Sequence, residues 1–218
     1  MEITAREFKT YLKNVITMVE SEKDYLCELD RKIGDGDHGI TMSIGFQAVR
    51  ENLDHELAEE TDCSKISISV GKTFLNAVGS SVGPLYATGF MRGAKQIKKK
   101  EVLNDQDVIA FWIAFGNGVK ERGRAEIGDK TMVDTFAPFV DALEANGKGA
   151  EDLSTIFREA VTKAEEGMHS TKKLISKKGR SSRLGDRSIG AQDPGATSAY
   201  FLLVTFLALI EDLTQKAG

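Results

Sequence analysis

Cysteine, net positive charge and long apolar runs are all scarce in this chain, and each shortage closes off a class of function. Cys27 and Cys63 are the only two cysteines in 218 residues. Their separation fits neither a metal-ligand pattern nor a disulfide framework, so a reducing, cytoplasmic location is expected. A net charge of −4 and a pI near 5.5 argue against a general nucleic-acid binder, which relies on a basic surface. The apolar stretch Ala199 to Ile210 covers twelve residues, where a membrane span needs about 20. It reads as a buried core helix. At the amino terminus Glu2, Arg6, Glu7 and Lys9 interrupt any signal-like run. Neither nucleic acid nor a membrane is expected as a partner.

What the chain has in quantity is helical periodicity. Thr4 and Glu7 form a capping box, and Phe8, Tyr11, Leu12, Val15, Ile16 and Val19 follow at the three-and-four spacing of one helix face. A second piece runs through Leu26 and Leu29. Further helices are predicted from His38 to Leu53, about Ser64 to Val78, about Pro84 to Lys100, Asn104 to Val119, Thr131 to Leu143, about Asp152 to Ile175, and Pro194 to Leu213. Pro84 and Pro194 sit where a first turn tolerates proline. Ile66 to Val70 alternates like a strand, but nothing nearby offers it a partner. The expectation is a single all-α domain over residues 1–218, a bundle of about eight helices with short loops. Ser176 to Gln192 is the exception: glycine, serine and arginine replace the apolar period, and a loop of this length without structure of its own is usually functional. Arg180, Arg183 and Arg187, with Lys172, Lys173, Lys177 and Lys178, would make it a positive lid.

The acidic counterpart is the run from Asp30 to Gly39, which places Asp30, Asp35 and Asp37 among Gly34, Gly36 and Gly39. The glycines permit sharply bent backbone, so the carboxylates can converge. Two such charges about 5 Å apart repel by about 3 kcal/mol at an effective dielectric of about 20, a cost that a cation removes. An all-carboxylate set with room for phosphate oxygens and water suits Mg²⁺. Three better-known motifs fail here on context. Gly34-Asp35-Gly36-Asp37-His38-Gly39 matches a dinucleotide fingerprint, but Asp30, Arg31 and Lys32 precede it instead of a buried strand. An EF-hand starting at Asp35 would want an oxygen ligand at Gly39 and a glutamate at Phe46. Gly71-Lys72-Thr73 ends like a Walker A loop whose first glycine would have to be Ile66. What survives is a metal loop opening a helix whose amino end suits a phosphate.

Taken together, Asp30 to Gly39, the run Gly128-Asp129-Lys130-Thr131-Met132-Val133-Asp134, and Gly179-Arg180-Ser181-Ser182 leading to Gln192-Asp193-Pro194-Gly195-Ala196-Thr197-Ser198 resemble the L subunit of dihydroxyacetone kinase, the nucleotide-binding component. The resemblance spans essentially the whole chain. It implies a barrel of eight antiparallel helices with the nucleotide site in the loops at one end, holding ADP or ATP through two Mg²⁺ ions. It makes Asp30, Asp35 and Asp37 the metal ligands. His38, Gly39, Ile40 and Thr41 would line the phosphates, with Ser80, Ser81, Gly123, Met132, Arg180, Asp193, Pro194 and Gly195 completing the pocket. Val82 stands where the family pattern has a small residue before Gly-Pro, which leaves open which of Ser80 and Ser81 makes the contact. Arg180 would also assist catalysis, since its planar fork suits a phosphoryl group in transit. Asp129 and Asp134 read as first-turn acids and stay outside the site.

The implied reaction is phosphoryl transfer. By the same resemblance, a phosphocarrier M subunit of the phosphotransferase system would recharge bound ADP, and the γ-phosphate would pass to dihydroxyacetone held on a separate K subunit. The alternatives are a kinase subunit using exchangeable ATP directly, or a nucleotide-state-sensing adaptor for a transcription regulator.

Overall fold

A computed structural model gives the structure of residues 1–147 and 152–217. Among these residues nine α-helices account for almost all regular structure: α1 Ala5–Ser21, α2 Lys23–Ile33, α3 His38–Asp54, α4 Cys63–Ala77, α5 Val82–Gln96, α6 Asp105–Gly123, α7 Val133–Asn146, α8 Leu153–Ser170 and α9 Pro194–Ala217. Two short strands, β1 Ile3–Thr4 and β2 Val102–Leu103, pair antiparallel. They join the start of α1 to the connection between α5 and α6.

The helices close a ring. Each of α3 to α8 packs on its chain neighbour, α8 packs on α9, α9 on α1, and α1 on α3. Eight helices therefore make the wall, and the short α2 sits against α3 and α9. The expected antiparallel barrel of eight is observed. Its interior is aromatic. Trp112 is fully buried and meets Tyr11, Phe111, Phe115, Phe139, Phe157 and Phe206 with ring centroids 5.1–6.2 Å apart, and such edge-on packing adds to the area each ring buries.

Several boundaries differ from the sequence reading for identifiable reasons. The alternating Ile66 to Val70 lies inside α4, where Ser64 and Ser67 hydroxyls donate to the carbonyls of Ala94 and Phe90 at 3.0 and 2.8 Å. The serines thus face the neighbouring α5. Helix α8 stops at Ser170 instead of near Ile175, because Thr171 Oγ1 donates back to Met168 O and the chain tightens into a 3-10 turn over Thr171–Lys173. Ser176 to Gln192, expected to lack structure of its own, contains 3-10 turns over Arg180–Ser188 and an internal hydroxyl network. Helix α9 starts at Pro194 as expected and runs past Leu213 to Ala217, with Leu202, Leu203, Phe206 and Ile210 buried in the core.

One close approach governs where the site sits. A Cβ on Gly39 would lie 1.9 Å from the Lys23 carbonyl oxygen and 2.9 Å from Cys27 Sγ, so only glycine lets the first turn of α3 lie on α2. Gly39→Ala should therefore destabilise the protein by about 1–3 kcal/mol through overpacking, read as a lower melting temperature. Gly79→Ala, where no atom lies within 4 Å of the added methyl, should melt close to wild type. Equal melting of the two variants would contradict the packing.

Candidate functional site

Because the helices alternate in direction, the amino ends of α3, α5, α7 and α9 all reach one end of the barrel. They meet around a cavity of about 510 Å³ lined by His38 and Thr41 of α3, Val82 and Pro84 of α5, Val133 of α7, and Pro194 and Gly195 of α9. The residues Asp37, Ser81 and Met132 that precede α3, α5 and α7 make no side-chain cap hydrogen bond to them. Four helix dipoles, and the N–H groups left free at α3, α5 and α7, thus favour an anion here.

The acidic loop forms one wall. Asp30, at the end of α2, aims its Oδ2 into the loop and accepts the N–H groups of Gly36 and Asp37 at 2.9 Å and His38 at 3.3 Å. Gly36 completes the bend with a φ of 80°, where a side chain would be strained. This fold brings one carboxylate oxygen from each of Asp30, Asp35 and Asp37 within 4.8 Å of one another. Asp35 and Asp37 are about half exposed, at 49% and 51%. Across them lies the Arg180 guanidinium, paired with Asp35 and 3.8 Å from Asp37. An oxygen-only cluster of this charge, open on one side, matches the donor set of a hard divalent cation.

The remaining expected residues divide in two. Ser80, Ser81, Gly123, Met132, Arg180, Asp193, Pro194 and Gly195 line the same cavity as the three aspartates, His38 and Thr41. Val82 lines it as well, beside both candidate serines. Gly39 and Ile40 do not: Gly39 is buried against α2, and the Ile40 side chain is exposed on the outer face of α3. His38 is fixed from behind by Ser198, whose Oγ lies 2.9 Å from its Nε2 and 3.0 Å from the Tyr86 hydroxyl. Burial drives the His38 imidazole down to about 4 against the pull of Asp30, so it is neutral at physiological pH.

Some of the wall was not anticipated. Lys130 and Arg122 add positive charge beside Lys178 of the expected lid, and Ile33, Leu85, Val119, Ala125 and Val133 add an apolar surface that suits a planar heterocycle. Asp134, read as a first-turn acid, is buried and accepts the N–H groups of Gly128 and Thr131 at 2.6 and 2.7 Å. It shapes the turn before α7, and burial raises its pKa. The signal for both Lys130 and Asp134 was their place in the Gly128 to Asp134 run.

Asp193 caps α9 by accepting the Ala196 N–H at 2.7 Å, and burial pushes its carboxyl up to about 7. An acid whose folded pKa lies above its unfolded value of about 4 holds its proton more tightly when folded. Its stabilising contribution is present at low pH and is lost as pH rises from about 4 to about 7. Asp193→Asn keeps a cap acceptor and has no proton to lose. In magnesium-free buffer its urea stability relative to wild type should therefore rise between about pH 4.5 and about pH 8; parallel profiles would contradict the assignment.

Comparison with known proteins shows the family and the fold. The DAK2 domain family model matches residues 32–208. The PEP-dependent dihydroxyacetone kinase 2 ADP-binding subunit DhaL of Listeria innocua is 40% identical, over 92% of this chain and 92% of that protein. The corresponding Escherichia coli subunit is 36% identical, over 93% of this chain and 96% of its own length. The crystal structure of the dihydroxyacetone kinase from C. freundii, in complex with AMP-PNP and Mg²⁺, superposes with a TM-score of 0.72 at 21% identity. It covers 95% of this chain and 34% of that one, a likeness of fold. With a family model spanning most of its length and relatives matched nearly end to end, this chain belongs to the DAK2 domain family.

Proposed function

We propose that this chain is the ADP-binding subunit of a dihydroxyacetone kinase. In this reading it is a single-domain, cytoplasmic protein that keeps ADP as a resident cofactor and receives a phosphoryl group on it from a phosphocarrier M subunit. It then delivers that group to dihydroxyacetone held on a separate K subunit. The observation that carries the reading is the meeting, over one cavity, of three carboxylates within 4.8 Å and four helix amino ends. Carboxylates alone would repel a phosphate and helix ends alone would repel a metal. A nucleotide diphosphate bound with divalent cations satisfies both.

Each residue then has a task. Asp30, Asp35 and Asp37 would hold two Mg²⁺ ions, with Asp30 offering Oδ1 because Oδ2 serves the loop backbone. The bound ions would supply charge neutralisation and alignment of the phosphates. Backbone N–H groups of Gly39 and Ile40, at the uncapped start of α3, and the side chains of Thr41, Ser80 and Ser81 would contact phosphate oxygens. Gly123, Met132, Pro194 and Gly195, with the apolar wall, would receive the nucleoside. Arg180 would stabilise charge on the transferring group. Exposed Ile40 and Ile44 on α3, one turn apart beside the mouth, and Ile175 and Ile189 on the basic loop, give a protein partner apolar surface to dock on.

The distinction between carrier-fed and ATP-consuming subunits lies in product release, because a site that grips ADP by metals, helix ends and a covering loop throttles any cycle that must discard it. ADP should survive gel filtration in magnesium buffer. Dihydroxyacetone phosphate should form when K subunit and phosphorylated M-type donor are both supplied, and not over many turnovers on free ATP. Sustained turnover on ATP with rapid exchange of labelled ADP would favour the exchangeable-nucleotide kinase instead. Within the same assay Arg180→Ala should slow transfer by about 10²–10³-fold, the scale of a lost transition-state donor, while changing ADP affinity far less. An unchanged rate would return the arginine to a surface role.

A further inference from the structure

Between α8 and α9 the chain from Lys172 to Gly190 leaves the barrel and comes back, and few bonds hold it. At its neck Gly190 N–H donates to Lys172 O at 2.7 Å. Just inside, the Lys130 ammonium donates to Thr171 O and to Ala191 O, both at 2.5 Å. One side chain thus grips the residue before the excursion and the residue after it. Midway, Lys177 N–H donates to Asp129 O at 3.1 Å, and its ammonium lies 3.4 Å from the Asp129 carboxylate. The interior is tied largely to itself, through Ser176 N–H to Ser188 Oγ at 2.9 Å and Ser176 Oγ to Ser181 Oγ at 2.5 Å. At the tip Arg180 reaches Asp35 and Asp37. The consecutive residues Asp129 and Lys130 therefore anchor the loop that carries the arginine.

Lys130 is an expensive choice for this place. It is 1% exposed, and burial opposes its charge while Asp193 and Asp134 support it. Its φ of 61° is left-handed, a conformation that glycine adopts more readily. A methionine would fill the same volume with no ammonium to desolvate. What only the ammonium provides is several donors at one point, enough to hold two carbonyls from distant positions in the chain.

We propose that Lys130 is a positioning residue: its ammonium staples the two ends of the 172–190 loop and so holds Arg180 over Asp35 and Asp37. The staple stands on the geometry alone, whereas its consequence for transfer rests on the kinase reading above. The loop offers trypsin a series of lysines and arginines from Lys172 to Arg187, so its opening can be read in nucleotide-free protein. Lys130→Met should be cut within the loop about tenfold faster than wild type, as expected for a local opening, with cleavage elsewhere and far-UV circular dichroism unchanged. Lys130→Gln, which keeps an amide donor, should fall between them. Loop cleavage at the wild-type rate in both variants would overturn the proposal. So would cleavage throughout the chain with loss of helicity in both, since that marks a role in the whole fold. In the reconstituted transfer assay, Lys130→Met and Arg180→Ala should each slow transfer, and the double variant should be no slower than Arg180→Ala alone. Losses that multiply would overturn the link to Arg180. A wild type that transfers nothing would sink the kinase reading and leave trypsin to decide on the staple.

Discussion

The site depends first on one carboxylate oxygen. Asp30 Oδ2 gathers the N–H groups of Gly36, Asp37 and His38, and by doing so bends the loop and aims α3. Hydrogen bonds to a charged acceptor are roughly twice as strong as neutral ones, and here they do constructive work at a cost. The bend forces Asp35 and Asp37 toward Asp30, and each close pair of charges repels by about 3 kcal/mol at an effective dielectric of about 20. Positive charge must therefore come to the loop. The guanidinium of Arg180 supplies it in this structure, and a divalent cation would do the same with firmer geometry.

The barrel contributes the complementary half. Antiparallel helices joined by short connections put every second amino end on the same side, so four positive helix ends surround the cavity without any basic residue being needed. The aromatic core around Trp112 keeps that arrangement stiff. Carboxylates on one wall and helix ends on the others define a ligand with both kinds of charge, an anion carrying its own cations.

Local chemistry was legible in the sequence and long-range geometry was not. Three aspartates spaced by glycines point to carboxylates that can converge, and Asp30, Asp35 and Asp37 do so. The apolar period likewise announces helices. By contrast, nothing in the string distinguishes Asp30, whose oxygen is spent partly on backbone N–H groups, from Asp35 and Asp37, whose side chains are open. Asp134 and Lys130 sit among charges that look like an ordinary first turn; the return of the chain at Thr171 and Ala191 gives the Lys130 ammonium its partners, and the N–H groups of Gly128 and Thr131 occupy the Asp134 carboxylate. The serine-rich loop looks formless because its bonds join hydroxyls of Ser176, Ser181 and Ser188 that a helical or strand period does not register. Gly39 and Ile40, which the resemblance set along the phosphates, turn their Cβ positions away from the cavity and have only backbone N–H groups at the start of α3 to offer it.

The central claim is that metal and nucleotide bind as one unit on the three aspartates, and thermal denaturation in the four combinations of ADP and magnesium tests it most directly. With both present at about a hundred times the dissociation constant, binding should add about 2.7 kcal/mol. For a domain of this size that raises the melting temperature by about 5–10 °C. ADP with chelator should shift it little, and Asp35→Asn or Asp37→Asn should abolish the shift. An equal rise with ADP in chelator, or an undiminished rise in both variants, would contradict the account.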